Sequence, residues 1–169
     1  VLRQTDKRLL REAAYHPELV GMGTTVTVAF FMEDVVFVLH VGDSRCYLLR
    51  DRTLRLVTHD HTLLEALRTQ GQAPSDRWAQ DRLSHVLTNV VGGGQPGIQV
   101  DIHRLKVEPG DQLLLCTDGL NGMLDDRAIE SGLLTAESPR EACEQLVASA
   151  NRAGGRDNVT AVVVRFETS

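Results

Sequence analysis

One stretch of the sequence constrains the chain more than any other: an apolar run that ends in an aspartate and a glycine. Residues 113–121 read Leu-Leu-Leu-Cys-Thr-Asp-Gly-Leu-Asn. A short, continuous apolar run bounded by a turn signal predicts a buried strand. A glycine directly after Asp118 allows the chain to turn sharply. We therefore predict a buried strand that brings one carboxylate to a turn.

Two more aspartates stand beside apolar runs in a similar way. Asp43 ends such a run in segment 40–45, His-Val-Gly-Asp-Ser-Arg, and Asp157 precedes one in segment 154–160, Gly-Gly-Arg-Asp-Asn-Val-Thr. Taken singly, each aspartate is better explained by a turn, because Asp-Gly, Gly-Asp and Asp-Asn pairs favour turns. Taken together, carboxylates at the ends of adjacent strands can converge, and like charges that close need a cation. We therefore expect Asp43, Asp118 and Asp157 to bind divalent metal such as Mg²⁺ or Mn²⁺, which prefers carboxylate and water oxygens.

Composition excludes several classes of protein. With 169 residues, 42% of them apolar and 24% charged, the chain has the size and balance of one soluble globular domain. The net charge of −5 and the lack of a basic cluster argue against a nucleic-acid partner. No apolar run reaches the roughly 18 residues that a membrane span needs. Cys46, Cys116 and Cys143 are widely spaced and odd in number, so we predict reduced thiols in a cytoplasmic protein.

Periodicity and turn residues predict an α+β fold, with mostly antiparallel sheet covered by helices. The predicted strands are 24–32, 35–41, 45–50, 53–57, 98–107, 112–116 and 159–166, and the predicted helices are 1–15, 63–70, 84–91, 125–134 and 139–153. Short connections between the first four strands predict an antiparallel meander. The polar segment 71–82 predicts a surface flap. Because strands and helices do not alternate regularly, a doubly wound parallel sheet is not expected.

Five short motifs occur in order along the chain. They are Gly-Met-Gly-Thr-Thr at 21–25, His-Val-Gly-Asp-Ser-Arg at 40–45, Thr-His-Asp-His-Thr at 58–62, Cys-Thr-Asp-Gly-Leu at 116–120 and Gly-Gly-Arg-Asp-Asn-Val-Thr at 154–160. Each is weak alone, but together they resemble the motifs of the metal-dependent serine/threonine protein phosphatases of type 2C, in the compact bacterial form. The resemblance covers essentially the whole chain. It implies a single domain over residues 1–169, an antiparallel β-sandwich flanked by helices, and hydrolysis of phosphoserine and phosphothreonine in phosphoproteins.

The resemblance also implies roles for individual residues. Asp118 and Asp157 correspond to ligands of a dinuclear Mn²⁺ or Mg²⁺ centre, and Asp43 corresponds to a residue that helps Asp118 to hold a third, more weakly bound ion. Asn158 corresponds to a residue beside the metal-bound waters. In this family a metal-bridging water attacks phosphorus, so no protein nucleophile is expected, and none is evident. The flap at 71–82 is where substrate choice would reside.

Three histidines are candidates for general acids, but a structural role explains them better. His40 falls on an alternating position of a predicted strand, which favours burial. His61 follows Asp60 in a motif that looks like a local brace for its loop, and we interpret His59 in the same way. Asn89 stands near the place where many bacterial members of the family have an arginine.

The sequence departs from the family pattern at its beginning. The family opens with strands that carry a Glu-Asp pair and an Asp-Gly segment whose aspartate bridges both metals, whereas this sequence enters a helical pattern directly at Val1. We therefore expect an N-terminally truncated piece of the family domain, which alone binds metal weakly and is nearly inactive. The alternative is a protein that naturally lacks these strands and acts as a catalytically incompetent regulatory or binding module. Sheets without those strands would expose apolar edges, so we also expect this form to make a homodimer.

Overall fold

The computed structural model describes residues 1–94 and 97–167. The helices are α1 (Leu2–Tyr15), α2 (Leu63–Thr69), α3 (Arg77–Ser84), α4 (Asp118–Asn121), α5 (Asp126–Thr135) and α6 (Pro139–Arg152), with a 3₁₀ turn at Pro17–Leu19. The strands are β1 (Gly23–Thr24), β2 (Val26–Met32), β3 (Val35–Val41), β4 (Arg45–Arg50), β5 (Thr53–Leu56), β6 (Val91–Gly92), β7 (Asp101–Lys106), β8 (Gln112–Cys116) and β9 (Ala161–Arg165). Within the described residues, no helix has the length and apolar character that crossing a bilayer requires.

The chain divides into two compact units. The first comprises Val1–Val28, Leu39–Asp43 and His59–Ile102. The second comprises Ala29–Val38, Ser44–Thr58 and the residues from His103 onward. Strands β2, β3 and β7 form a three-stranded sheet in the order β2-β3-β7.

In the first unit, α1 packs on a pair of short, glycine-rich strands. β1 and β6 pair antiparallel, and a Cβ at Gly23 would lie 2.9 Å from the backbone nitrogen of Gly93, so this contact requires glycine. The buried carboxylate of Asp6 accepts the backbone N–H of Gly92 at 2.9 Å, which ties the helix to β6. The apolar core of this unit consists of Val41, Val91 and Ile98, with Leu2, Leu9, Val26 and Val100 packed against it.

In the second unit, an antiparallel sheet has the order β5-β4-β8-β9. Successive residues of β4 and β8 point to opposite faces, as strand geometry requires. One face packs Cys46, Leu48 and Leu113 against Val36 and Val38 of β3. The other packs Tyr47, Leu49, Leu114 and Cys116 against Leu120 of α4, Ile129 and Leu133 of α5 and Leu146 of α6. Burial on both faces fixes the register of β8, because a slip by one residue would exchange the two cores.

Most of the predicted architecture is confirmed. The fold is α+β with antiparallel sheet, and the strands at 35–41, 45–50 and 112–116 have the predicted bounds. Cys46 and Cys116 are buried reduced thiols, and Cys143 is a partly buried one, as predicted. The helix starts predicted at Thr62 and Ser138 are also found, because each hydroxyl accepts a backbone N–H of the first helical turn.

The predicted meander is wrong at one step: β2 neighbours β3 and β4 pairs with β5, as predicted, but β3 and β4 lie in different sheets. β4 pairs with β5 and β8 and not with β3. The cause lies at Gly42, whose φ of +113° bends the chain between β3 and β4. This backbone conformation is open to glycine and strained for residues with a side chain.

The helix predicted at 84–91 is also wrong. α3 ends at Ser84, and the residues after it form extended backbone bonds with the segment before α2. Val86 accepts the N–H of Leu63, and Thr88 donates its N–H to His61, both at 2.8 Å. The predicted flap at 71–82 contains most of α3, which the sequence did not indicate.

Candidate metal site

The end of β8 places Asp118 beside the start of β9. The two strands are antiparallel neighbours with Cys116 opposite Ala161, so the residues after β8 and before β9 leave the sheet at one edge. Asp118 opens the four-residue helix α4 and is partly buried, whereas Asp157 is exposed in the segment that leads into β9. The structure thus brings these two predicted aspartates to the same sheet edge.

Thr117 joins the two segments at this edge. Its backbone N–H donates to the carbonyl oxygen of Thr160 at 3.1 Å. Its hydroxyl donates to the carbonyl oxygen of Asn158 at 3.3 Å and accepts the N–H of Thr160 at 3.0 Å. These bonds hold the residue before Asp118 against the segment that carries Asp157.

Gly119 allows the same two segments to touch. A Cβ at this position would lie 2.3 Å from the carbonyl oxygen of Asn158 and 3.3 Å from that of Asp157, well inside van der Waals contact. The sequence predicted that this glycine permits a sharp turn, but the chain instead begins α4 here. Glycine is needed for close backbone approach, and this approach sets Asp118 next to the Asp157–Asn158 segment.

Asp157 and Asn158 form an exposed end to this edge. Oδ1 of Asp157 accepts the backbone N–H of Asn158 at 2.7 Å, which restrains the carboxylate. Both residues are exposed, so ions and water can reach them. Asp157, predicted as a metal ligand, and Asn158, predicted to lie beside metal-bound water, are therefore in one short loop.

Asp43 belongs to the first unit. It lies partly buried in the bend between β3 and β4. The preceding Gly42 is required twice over: for its φ of +113°, and because a Cβ there would lie 2.3 Å from Cγ2 of Thr25. The path of the chain into Asp43 is therefore set by glycine.

His61 forms two hydrogen bonds with the backbone of Gly42. The N–H of His61 donates to the Gly42 carbonyl at 2.8 Å, and the Gly42 N–H donates to Nδ1 of His61 at 3.0 Å. Nδ2 of Asn89 lies 2.8 Å from the same Nδ1, and Nε2 lies 3.1 Å from Oδ2 of Asp101. Because Nδ1 accepts the Gly42 N–H, the proton of the neutral ring belongs on Nε2, where it faces the carboxylate.

His40 lies fully buried next to this ring, as predicted. Its Nε2 is 3.0 Å from the carbonyl oxygen of His59, and its Nδ1 is 3.0 Å from Oγ1 of Thr27. A carbonyl only accepts, so Nε2 carries the proton and Nδ1 accepts the threonine hydroxyl. Burial, and to a smaller extent the neighbouring His61, lowers the pKa of His40. A buried neutral imidazole with both nitrogens in use is a structural group and not a general acid.

The donor set at the β8–β9 edge fits a hard cation in kind but not in number. Asp118 and Asp157 offer the carboxylate oxygens that Mn²⁺ and Mg²⁺ prefer. Among residues 1–94 and 97–167, however, no group of three or more His, Cys, Asp or Glu side chains is placed to hold a metal ion. Two carboxylates are fewer ligands than a tight site uses, because these ions take about six oxygens.

Comparison with known proteins places the chain in a family. The sequence profile of protein phosphatase 2C matches residues 1–159. The chain belongs to the protein phosphatase 2C family. The prediction of this family from five motifs is therefore confirmed.

Relatives of this phosphatase 2C chain include bacterial serine/threonine phosphatases. The serine/threonine phosphatase Stp of Listeria welshimeri is 32% identical over 166 residues, which cover 96% of this chain and 64% of that protein. The crystal structure of the serine/threonine phosphatase PstP of Mycobacterium tuberculosis has a TM-score of 0.86 at 31% identity, over 96% of this chain and 68% of that one. A structure of the catalytic domain of PstP in complex with two manganese ions has a TM-score of 0.84 at 31% identity, over 98% of this chain and 68% of that one. This chain thus spans a little under two thirds of the Listeria relative, at 64% of its length.

The sequence contains little indication of the residues that support Asp43 and Asp118, two of the three predicted ligands. Asn89 stands out in the sequence only by its place near an expected arginine, and no local pattern marks Asp101. The contact from Asn89 to His61 joins residues 28 positions apart, and no local pattern indicates it. The sequence does contain an indication for Thr117, because a hydroxyl directly before Asp118 can form hydrogen bonds to a neighbouring segment.

Proposed function

We propose that the full-length protein is a metal-dependent protein serine/threonine phosphatase, with Asp118 and Asp157 as ligands of its Mn²⁺ or Mg²⁺ ions. The observation that carries the proposal is the β8–β9 edge, where two carboxylates stand on segments joined by Thr117 and Gly119. Family membership supports the reaction, and the manganese-bound catalytic domain of PstP supports the metal. A divalent cation, when bound, supplies an acidified water and offsets charge on phosphoryl oxygens.

The residues of this chain would then act by charge and position. Asp118 and Asp157 provide negatively charged carboxylate oxygens at the β8–β9 edge, and Thr117 holds their two segments together. Asn158, exposed in the same loop, offers an amide that can hydrogen-bond water or a phosphate oxygen. Asp43 is proposed, from the resemblance of its motif, as a ligand of a third and weaker ion. The substrates are phosphoserine and phosphothreonine in phosphoproteins, and the segment 71–82 is proposed to influence their choice.

The test is hydrolysis by the full-length protein of a phosphothreonine peptide and of p-nitrophenyl phosphate. We expect turnover with Mn²⁺ or Mg²⁺, loss of turnover with EDTA, and recovery when Mn²⁺ is added back. Undiminished turnover in EDTA would contradict metal dependence. A protein that hydrolyses p-nitrophenyl phosphate but no phosphopeptide would contradict the substrate class.

A second candidate is a regulatory or binding module without catalysis. It would apply to a protein that supplies no further metal ligand beyond Asp118, Asp157 and Asp43. A full-length protein that binds a phosphopeptide but does not hydrolyse it under any of these conditions would establish this alternative. We further propose that the 169-residue chain alone binds Mn²⁺ weakly and is nearly inactive, so robust turnover by that chain would refute this part.

We also propose that the 169-residue chain forms a homodimer through an exposed sheet edge. β2 is one of the two edge strands of its sheet, and Phe30 and Met32 on it are 56% and 55% exposed. Edge strands with exposed apolar side chains favour pairing with another chain. A mass measured by light scattering that stays monomeric at high concentration would count against this.

A further inference from the structure

Gly42, the residue before Asp43, has both of its backbone polar groups bonded to a single residue. His61 donates its own N–H to the Gly42 carbonyl at 2.8 Å, and its Nδ1 accepts the Gly42 N–H at 3.0 Å. Gly42 is buried and has no side chain through which it could be held. Its orientation, and the direction in which the chain enters Asp43, therefore depend on these bonds.

Asn89 fixes the state of the His61 ring that this contact needs. Its Nδ2 donates to the carbonyl oxygen of Gln99 at 2.8 Å, and its Oδ1 accepts the N–H of Gln99 at 3.2 Å, which determines the orientation of the amide. The same Nδ2 lies 2.8 Å from Nδ1 of His61. With donors from Gly42 and Asn89 directed at it, Nδ1 remains an acceptor.

The opposite side of the ring supports the same arrangement. Nε2 of His61 lies 3.1 Å from a carboxylate oxygen of Asp101, which accepts a hydrogen bond from its N–H. His40 packs against the ring with centroids 4.8 Å apart and restricts its rotation. An arginine in place of Asn89 could not reproduce these contacts, because a guanidinium has no acceptor for the N–H of Gln99.

We infer that His61 and Asn89 are positioning residues for the proposed phosphatase: together they hold the Gly42 amide through Nδ1 of His61 and so orient Asp43 toward metal. This arrangement is named the Gly42 clamp (Gly42, His61 and Asn89). The inference rests on the proposed function, since it requires Asp43 to be a metal ligand. It gives His61 a role in geometry and none in proton transfer.

Two substitutions at His61 separate its two nitrogens. In His61→Asn, the side-chain oxygen falls near the position of Nδ1, so the acceptor for Gly42 is kept and the bond to Asp101 is lost. In His61→Gln, the amide nitrogen falls near the position of Nε2, so the bond to Asp101 is kept and the acceptor for Gly42 is lost. The exposed His85→Gln serves as the matched control.

The first measurement is amide hydrogen exchange at Gly42 in the full-length protein. We expect His61→Gln to lower the protection of this amide by about tenfold or more, the loss expected for one hydrogen bond, and His61→Asn and His85→Gln to lower it far less. Asn89→Ala should also lower it, because the tautomer of His61 is then no longer fixed. Equal protection in His61→Gln and His61→Asn would overturn the clamp, and this result does not depend on activity.

The second measurement is the Mn²⁺ concentration that gives half-maximal hydrolysis of p-nitrophenyl phosphate. We expect His61→Gln to raise this concentration by about 10- to 100-fold, as for loss of a group that orients a metal ligand, with kcat at saturating Mn²⁺ changed much less. His61→Asn should restore the wild-type concentration. An unchanged Mn²⁺ dependence in His61→Gln, with Gly42 deprotected, would overturn the positioning role while the proposed function stands. A wild-type protein without metal-dependent turnover would overturn the proposed function and, with it, this role for the clamp.

Discussion

Two of the proposed ligand positions are held by different means. Asp118 stands at a sheet edge where backbone approaches backbone: Gly119 leaves room for the carbonyl of Asn158, and Thr117 bonds that same carbonyl. Asp43 follows Gly42, which is held by the ring of His61. Both positions need a glycine, but Asp118 is held by backbone contacts within a paired sheet, whereas the residue before Asp43 is held by the side chain of His61.

The difference indicates how each position should respond to change. The β8–β9 edge continues from β8, which is buried on both faces, so a disturbance there is coupled to the core of its unit. The clamp consists of a few polar contacts, each with a net value of about 1 kcal/mol. We therefore expect changes at Gly119 to cost stability and activity together, and changes at His61 to cost activity at little expense of stability.

The largest effect should come from Asp118→Asn in the full-length protein. The substitution removes the negative charge that a cation requires and leaves the shape of the side chain, so hydrolysis of p-nitrophenyl phosphate should fall by more than about a hundredfold, beyond the loss typical of a residue that only supports a ligand. The melting temperature should change little, because Asp118 is only partly buried.

Asp126→Asn is the control for Asp118→Asn. Asp126 is an exposed carboxylate in the first turn of α5, close in sequence to the edge but not part of it. The Asp126→Asn variant should hydrolyse p-nitrophenyl phosphate at nearly the wild-type rate. Retained turnover in Asp118→Asn would remove Asp118 from the ligand set.

The next largest effect should come from adding a methyl group at either glycine. Gly119→Ala meets backbone at 2.3 Å, which cannot move alone, and should cost about 1–3 kcal/mol of unfolding free energy. Gly42→Ala meets the side chain of Thr25 and also strains a φ of +113°, so its cost should be similar or larger, about 2–4 kcal/mol. Both can be measured by urea denaturation.

Gly71→Ala is the control for strain without a clash. Its φ is +69° and no atom lies within 4 Å of the added Cβ, so it should cost only about 1 kcal/mol. If Gly119→Ala were no more destabilising than Gly71→Ala, the close approach at the β8–β9 edge would be wrong. The contrast between a backbone-held and a side-chain-held aspartate would then lose its basis.

The two regions also differ in how far the sequence predicts them. The strand that leads to Asp118 was predicted with its bounds at 112–116, because a continuous apolar run leaves little alternative to a buried strand. The function of Gly119 was not, because its partner Asn158 lies far along the chain and Asp-Gly is a common turn pair. The strand could be predicted because its signal is local, whereas the role of Gly119 depends on a contact with a distant residue.

The same distinction explains the errors in the first unit. Residues 84–91 were predicted as a helix, but Val86 and Thr88 bond backbone of residues 61–63. The brace at His61 was predicted from its motif, whereas Asn89 and Asp101, which complete it, come from separate segments. Sequence patterns carry local preference, and these contacts are long-range.

A smaller effect should follow the removal of one hydroxyl at the β8–β9 edge. Thr117→Val keeps the shape of the side chain and loses the bonds to Asn158 and Thr160, so it should cost about 1–2 kcal/mol of unfolding free energy and reduce activity several-fold. Thr117→Ser keeps the hydroxyl and should be close to wild type in both. If the valine and serine variants behaved alike, the hydroxyl would have no part in joining the two segments.

The smallest effect concerns His40, beside the Gly42 clamp, and appears as a dependence of stability on pH. Because burial lowers the pKa of His40 in the folded state, the unfolded chain takes up this proton first as the pH falls below about 6.5, and folding loses free energy through that window. The loss from this residue cannot exceed about 1.4 kcal/mol per pH unit, and it is absent above the unfolded pKa. Urea denaturation at about pH 7.5, 6.5 and 5.5 measures it.

His40→Gln tests whether this pH dependence belongs to the buried imidazole. Its amide nitrogen falls near the position of Nε2 and can keep the bond to the carbonyl oxygen of His59, but it does not titrate. The variant should be less stable than wild type at neutral pH, because Thr27 loses its acceptor, and the deficit should shrink as the pH falls. His85→Gln, at an exposed position, should leave the pH slope of the wild type unchanged. If His40→Gln kept that slope as well, the loss of stability in acid would come from another residue. The region around Gly42 would then not differ from the β8–β9 edge in how its stability depends on pH.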